Sequence, residues 1–146
     1  MILRVMIVED EDMIRNGLVK TLPWADMGCT VIGSAGDGKS GLEQIIERRP
    51  DVVITDIRMP EMDGFEMLER ALAVYRFHII IFTSYAEFDY AQKAISMHAY
   101  DYLLKPLDEK RLAELRRFCA EAPFCRDVTV VEDSISSEAF LRAAAW

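Results

Sequence analysis

"DVVITDIRMPEMDG", Asp51 to Gly64, decides how the chain is read. An apolar run, Val52 to Ile54, leads through Thr55 to Asp56, and a loop carrying Met59, Pro60, Asp63 and Gly64 follows at once. A run this short, rich in β-branched residues and closed by turn residues, predicts a strand buried on both faces. The acid that ends it would be presented rigidly at one edge of a sheet, so the question is what else arrives at that edge.

Four other segments have the same character: Ile2 to Val8, Cys29 to Ala35, His78 to Thr83 and Tyr100 to Lys105. Between and after the strands lie segments with helical spacing of apolar residues: Asp12 to Leu22, Ser40 to Arg49, Phe65 to Val74, Phe88 to Met97 and Asp108 to Phe118. Alternation of five strands with five helices predicts an α/β domain, a doubly wound five-stranded parallel sheet covered on both faces. In such a sheet the functional crevice lies beyond the carboxyl ends of the strands.

Composition agrees with one such domain. The chain has 146 residues, of which 51% are hydrophobic, with only 5 Pro and 7 Gly, enough for a substantial core. Its formal charge of -8 opposes binding to a phosphate backbone or an anionic membrane, so no nucleic acid or membrane partner is expected of this chain itself. No window approaches the roughly 18 apolar residues of a membrane span. Cys29, Cys119 and Cys125 are odd in number and lack C-x-x-C spacing, which implies neither a disulfide framework nor a zinc site and fits a reducing cytoplasm.

At the strand ends stand Glu9 and Asp10, Asp56, Thr83 and Ser84, and Lys105 followed by Pro106. If the first and third strands are neighbours, Glu9, Asp10 and Asp56 form a carboxylate cluster that cannot stay ionised without a compensating cation. Hard oxygen donors with room for water suit Mg²⁺. A carboxylate nucleophile, a metal, a lysine and a hydroxyl together suit transfer of a phosphoryl group to one of the three acids.

This combination, the acidic pair, "TDIRMPEMDG", a hydroxyl after strand four and "KP" after strand five, resembles the receiver domain of bacterial two-component response regulators over residues 2 to 118. The resemblance implies a flavodoxin-like fold with strand order 2-1-3-4-5. It gives Asp56 as phosphoacceptor; Asp10, Asp56 and the backbone carbonyl of Arg58 as Mg²⁺ ligands, with Glu9 acting through water; Thr83, Lys105 and Tyr102 as the phosphoryl-stabilising and switch residues; and Pro106 on a cis peptide bond. Arg58 and Tyr85, two residues beyond Asp56 and Thr83, fall at positions that influence phosphoryl lifetime. The implied partner is a sensor histidine kinase, with homodimerisation as one consequence of phosphorylation. The implied output is a shifted face of helix 4, strand 5 and helix 5, with catalysis limited to the domain's own phosphoryl transfer and dephosphorylation.

The wording "LRVMIVEDEDMIRNGL", "ITDIRMPEMDG" and "SYAEFDYAQKAI" is most similar to receivers joined to arabinose-regulator-type transcription modules, so transcriptional control would belong to a longer parent protein. A stand-alone receiver, acting in a phosphorelay or as a docking switch, is the alternative. A more distant one is a nucleotidase: "GSAGDGKS", Gly33 to Ser40, satisfies the phosphate-loop pattern G-x-x-x-x-G-K-S. Structural readings also exist for single residues, since Asp10, Glu11 or Asp12 could cap the first helix and Asp63-Gly64 is an ordinary turn. Residues 119–146 lie beyond the resemblance as an extension, with a strand-like run at Val128 to Val131 and a short helix after Ser136 or Ser137.

Overall fold

The structure, a computed structural model, describes residues 2–125, with side chains through Ala122. Five parallel strands, β1 (Leu3–Val8), β2 (Cys29–Ala35), β3 (Val52–Thr55), β4 (His78–Thr83) and β5 (Asp101–Leu104), form one sheet in the order β2-β1-β3-β4-β5. The helices are α1 (Asp12–Thr21), α2 (Gly38–Arg48), α3 (Gly64–Leu72), α4 (Phe88–Ser96) and α5 (Glu109–Cys125). This is the doubly wound α/β arrangement expected, with strand bounds within one residue of those read from the sequence.

Side-chain alternation along the strands divides the core in two. Met6, Val8, Val53, Ile79, Ile81 and Tyr102 face one side, where Ile45 of α2, Met67 and Leu68 of α3, and Ala91 and Ala94 of α4 cover them. Leu3, Val5, Ile7, Ile54, Ile80 and Phe82 face the other, beneath Leu18 of α1 and Leu115 and Phe118 of α5. All four residues of β3 are buried, as a central strand covered on both faces requires.

Three differences from the sequence reading have local causes. A turn of 3-10 helix, Ala25–Met27, precedes β2 and ends on Gly28 at φ 77°, a left-handed conformation that glycine adopts without strain. The start of α2 moves forward to Gly38 because the Asp37 side chain accepts from the Ser40 N–H at 2.7 Å and caps it there. α5 runs seven residues past Phe118; Pro123 disfavours helix, but continuing it buries Cys119 and Ala122. The residues beyond 125, including the strand-like run and short helix read at 128 to 146, lie outside the described residues.

α3 begins where the loop after Asp56 turns back on itself. Asp63 caps it by accepting from the Glu66 N–H at 2.8 Å, and the Gly64 N–H donates to the Ile57 carbonyl at 2.7 Å. A Cβ on Gly64 would stand 2.1 Å from the Asp56 carbonyl oxygen, so only glycine fits there. Gly64→Ala is expected to lower the unfolding free energy by about 3 kcal/mol or more in urea titration, since the clash is with backbone of the central strand's end and cannot be relieved by a rotamer change.

Candidate functional site

Residues at the carboxyl edge of the sheet are placed by backbone hydrogen bonds that extend the strand ladders. The Glu9 N–H donates to the Ala35 carbonyl at 3.0 Å, the Asp56 N–H to Val8 at 3.1 Å and the Lys105 N–H to Thr83 at 2.8 Å. Acids after β1 and β3 and the lysine after β5 thereby converge on one point, although they are 47 or more residues apart in sequence.

At that point the Lys105 ammonium lies 2.8 Å from Asp56 Oδ2 and 2.5 Å from Glu9 Oε1, with all three side chains less than a tenth exposed. The second oxygens are held as well: Asp56 Oδ1 accepts from the Ile57 N–H at 2.7 Å, and Glu9 Oε2 from the Glu11 N–H at 3.1 Å. The approach of Lys105 to Glu9 Oε1 is close but poorly aligned for a hydrogen bond, so it acts as an ion pair while Asp56 receives the aligned donor. Asp10 stands beside them, exposed to solvent.

One lysine does not balance three acids. Burial pushes the Glu9 carboxyl up to about 7, against the opposing pull of Lys105 and the Glu11 N–H, with the charge of Asp56 adding to the rise. Burial alone would pull the Lys105 ammonium down, but its contacts with Asp56 and Glu9 outweigh that and hold it above the ordinary lysine value. Oxygens of Glu9, Asp10 and Asp56 lie within 4.8 Å of one another. A cluster of hard carboxylate oxygens with surplus negative charge, one of them at the solvent boundary, fits a divalent cation such as Mg²⁺.

Around this core the structure brings in most of the other residues singled out in the sequence. Thr83 ends β4 fully buried, its hydroxyl accepting from the Tyr85 N–H at 3.4 Å. Tyr102 is buried on β5 and donates its hydroxyl proton to the Tyr85 carbonyl, which ties β5 to the loop after Thr83. The Lys105–Pro106 peptide bond is cis. Capping does not account for the acids after β1: Glu11 occupies the N-cap of α1 without a side-chain cap bond.

Arg58 shows a role that sequence spacing did not reveal. Its exposed guanidinium donates through Nε to the Tyr90 hydroxyl at 2.8 Å and through Nη2 to Glu87 Oε1 at 2.7 Å, and it stacks 3.7 Å from the Tyr85 ring centroid. The loop after β3 is thus fastened to the start of α4. Only the placement of Arg58 and Tyr85 two residues beyond Asp56 and Thr83 hinted at it.

The glycine-rich run does not form a phosphate loop. Gly33 to Ala35 are strand residues of β2, which leaves only Gly36 and Asp37 before α2. A Cβ on Gly38 would stand 2.3 Å from the Met62 carbonyl oxygen, and Gly41 packs against Val8 and Met67. These glycines serve helix packing, Lys39 is exposed, and the nucleotidase reading has no cradle. His98, just past the end of α4, sits at φ 57°, the left-handed position where a glycine is more usual.

The fold and this edge cluster define a receiver-type signalling domain, and sequence comparison agrees: residues 5–117 match the response regulator receiver domain. The chain belongs to that family. It is 41% identical over 109 residues, 75% of its length, to the transcriptional regulatory protein HptR of Staphylococcus aureus, of which the match covers 43%. An uncharacterised response regulatory protein of Staphylococcus epidermidis is 36% identical over 137 residues, covering 94% of this chain and 54% of that one. The chain therefore spans about half the length of the curated relatives it matches. Among solved structures, the receiver domain of AraT, a response regulator from Geobacillus stearothermophilus, aligns with a TM-score of 0.78 at 36% identity, over 88% of this chain and all of that one.

Receiver domains of two-component systems are phosphorylated by sensor kinases and bind Mg²⁺ at an acidic pocket, and this chain has such a cluster. Among the described residues no helix is long and apolar enough to cross a membrane. Lys105→Met would leave Glu9 and Asp56 buried without their cation. It is expected to lower the unfolding free energy of the metal-free protein at neutral pH by about 3 kcal/mol in a denaturant titration, and an unchanged value would mean that the pair does not hold the pocket together.

Proposed function

We propose that this chain is a phosphorylation-dependent switch in which Asp56 accepts a phosphoryl group from the phosphohistidine of a sensor kinase. The observation that carries this reading is the buried Lys105 ammonium 2.8 Å from Asp56, with two further carboxylates crowding the same point. A carboxylate oxygen of Asp56 forms the new P–O bond as the P–N bond of the donor breaks, and the imidazole leaves. Asp56 is suited to this because the Ile57 N–H and Lys105 fix its orientation and the sheet edge limits its motion.

Asp10, Asp56 and the Arg58 carbonyl would hold Mg²⁺, with Glu9 reaching it through water; the ion supplies charge neutralisation for the equatorial phosphoryl oxygens. Lys105 contributes a second positive charge to the same oxygens. Once Asp56 carries about two additional negative charges, Thr83 is drawn toward them and the Tyr85 segment moves with it. Tyr102, bonded to the Tyr85 carbonyl, carries that movement to β5, so that the face of α4, β5 and α5 is the output surface. Arg58, stacked over Tyr85 and Tyr90, stands two residues beyond Asp56, the position that the family resemblance links to how long the acyl phosphate lasts.

The receiver unit is taken as residues 2–118, with 119–146 as an extension whose first turns complete α5 to Cys125. Likeness to transcriptional regulators supports control of transcription as the output of a longer parent protein; homodimerisation on phosphorylation and a cytoplasmic setting fit the same reading. The domain's own catalysis would be limited to its phosphorylation and dephosphorylation.

Incubation with a small phosphodonor and Mg²⁺ is expected to raise the intact mass by about 80 Da, one phosphoryl group, as an acid- and base-labile adduct. Asp56→Asn should abolish it while leaving the folded spectrum unchanged; persistence of the adduct would refute the assignment. Asp10→Ala should weaken Mg²⁺ binding by roughly tenfold or more in calorimetric titration, and an unchanged affinity would remove Asp10 from the metal site.

A further inference from the structure

Cys29 opens β2 and Cys119 lies in α5, 90 residues later, yet their Sγ atoms stand 3.2 Å apart. Both are buried as free thiols among Trp24, Met27, Phe118 and Ala122. Apart from its partner sulfur, Cys29 Sγ has the Met27 carbonyl 3.7 Å away as an acceptor. Two thiols in contact differ from a lone buried cysteine in one chemical respect: each is the nearest nucleophile for any oxidised form of the other.

We propose that Cys29 and Cys119 are a reversible oxidation site that closes into an intramolecular disulfide, with peroxide as the oxidant. The Cys29 thiolate attacks one peroxide oxygen, breaking the O–O bond and forming a sulfenic acid while hydroxide leaves. The Cys119 sulfur then attacks the sulfenic sulfur, the S–O bond breaks, and the two thiol protons end in two molecules of water. Two thiols are oxidised by two electrons and one peroxide is reduced by two. The contact favours the first step, because a thiol that remains protonated donates to the thiolate beside it and so pulls the Cys29 thiol down from its ordinary value. That same contact, with burial, pushes Cys119 up, which leaves it the proton-bearing partner.

Closure requires the sulfurs to approach by roughly 1 Å more. Its consequence follows from where the two residues stand. Cys29 lies at the amino-terminal end of its strand, whereas Asp56 follows the carboxyl end of β3, so the cross-link sits at the opposite edge of the sheet from the acidic pocket. It would fasten α5, from which the chain continues past residue 125, to the start of β2 without touching the phosphoryl chemistry. A cross-link enclosing so long a loop also restricts the unfolded chain strongly.

The test treats the full chain with hydrogen peroxide in native buffer, then unfolds it in N-ethylmaleimide and maps the peptides. The expected result is a peptide linking Cys29 to Cys119, an alkylated Cys125 and, before alkylation, an intact mass lower by about 2 Da, two hydrogens. The thermal midpoint should rise, fall back on adding dithiothreitol, and leave the extent of phosphodonor labelling unchanged. Cys125→Ser should give the same linkage. Alkylation of both Cys29 and Cys119 after treatment, their conversion to sulfinic acids, or linkage through Cys125 or between chains would overturn the proposal.

Discussion

A single buried ammonium group held between two buried carboxylates, with a third acid beside them, is the constraint on which the rest of the molecule turns. Lys105 reaches Asp56 and Glu9 from β5, a strand two places from β3 and three from β1, so the contact exists only if all three strands run parallel and end at the same level. The doubly wound fold supplies that, because each crossover helix returns the chain to the same starting edge. The buried acids are costly, as the rise of Glu9 toward neutrality shows, and the surrounding core holds them in place despite that cost.

Such a pocket stores a charge imbalance near solvent, which suits both a divalent cation and a transferred phosphoryl group. The connections leading away from it run through hydrogen bonds rather than through the apolar core. Thr83, the Tyr85 backbone and the Tyr102 hydroxyl form a chain from the end of β4 to β5, and Arg58 fastens the loop after Asp56 to Glu87 and Tyr90 at the start of α4. On the proposed function, a charge added at Asp56 would act first on these hydrogen-bonded groups.

Much of this was legible in the sequence because it follows from short-range rules. Val52 to Thr55 reads as a doubly buried strand from composition alone, Asp63 followed by Gly64 marks the turn before the next helix, and the acids, hydroxyl and lysine stand at successive ends of a parallel sheet. What was not legible depends on contacts across long stretches of chain. No local signal joins Cys29 to Cys119, or Arg58 to Glu87 and Tyr90. The extension of α5 past Phe118 depends on Cys119 and Ala122 finding a buried face, which outweighs the local penalty of Pro123. The phosphate-loop pattern at Gly33 to Ser40 misleads for the complementary reason: its residue types match, but its first three positions are spent on a strand.

The claim that Asp56, rather than Glu9 or Asp10, is the acceptor is tested most directly by reducing the phosphorylated protein with borohydride, which converts an acyl phosphate on aspartate to homoserine, and sequencing the peptides by mass spectrometry. Homoserine is expected at position 56, with unmodified residues at positions 9 and 10. Reduction at Glu9 or Asp10 instead, or no reduced residue in protein that carries the added phosphoryl mass, would contradict it.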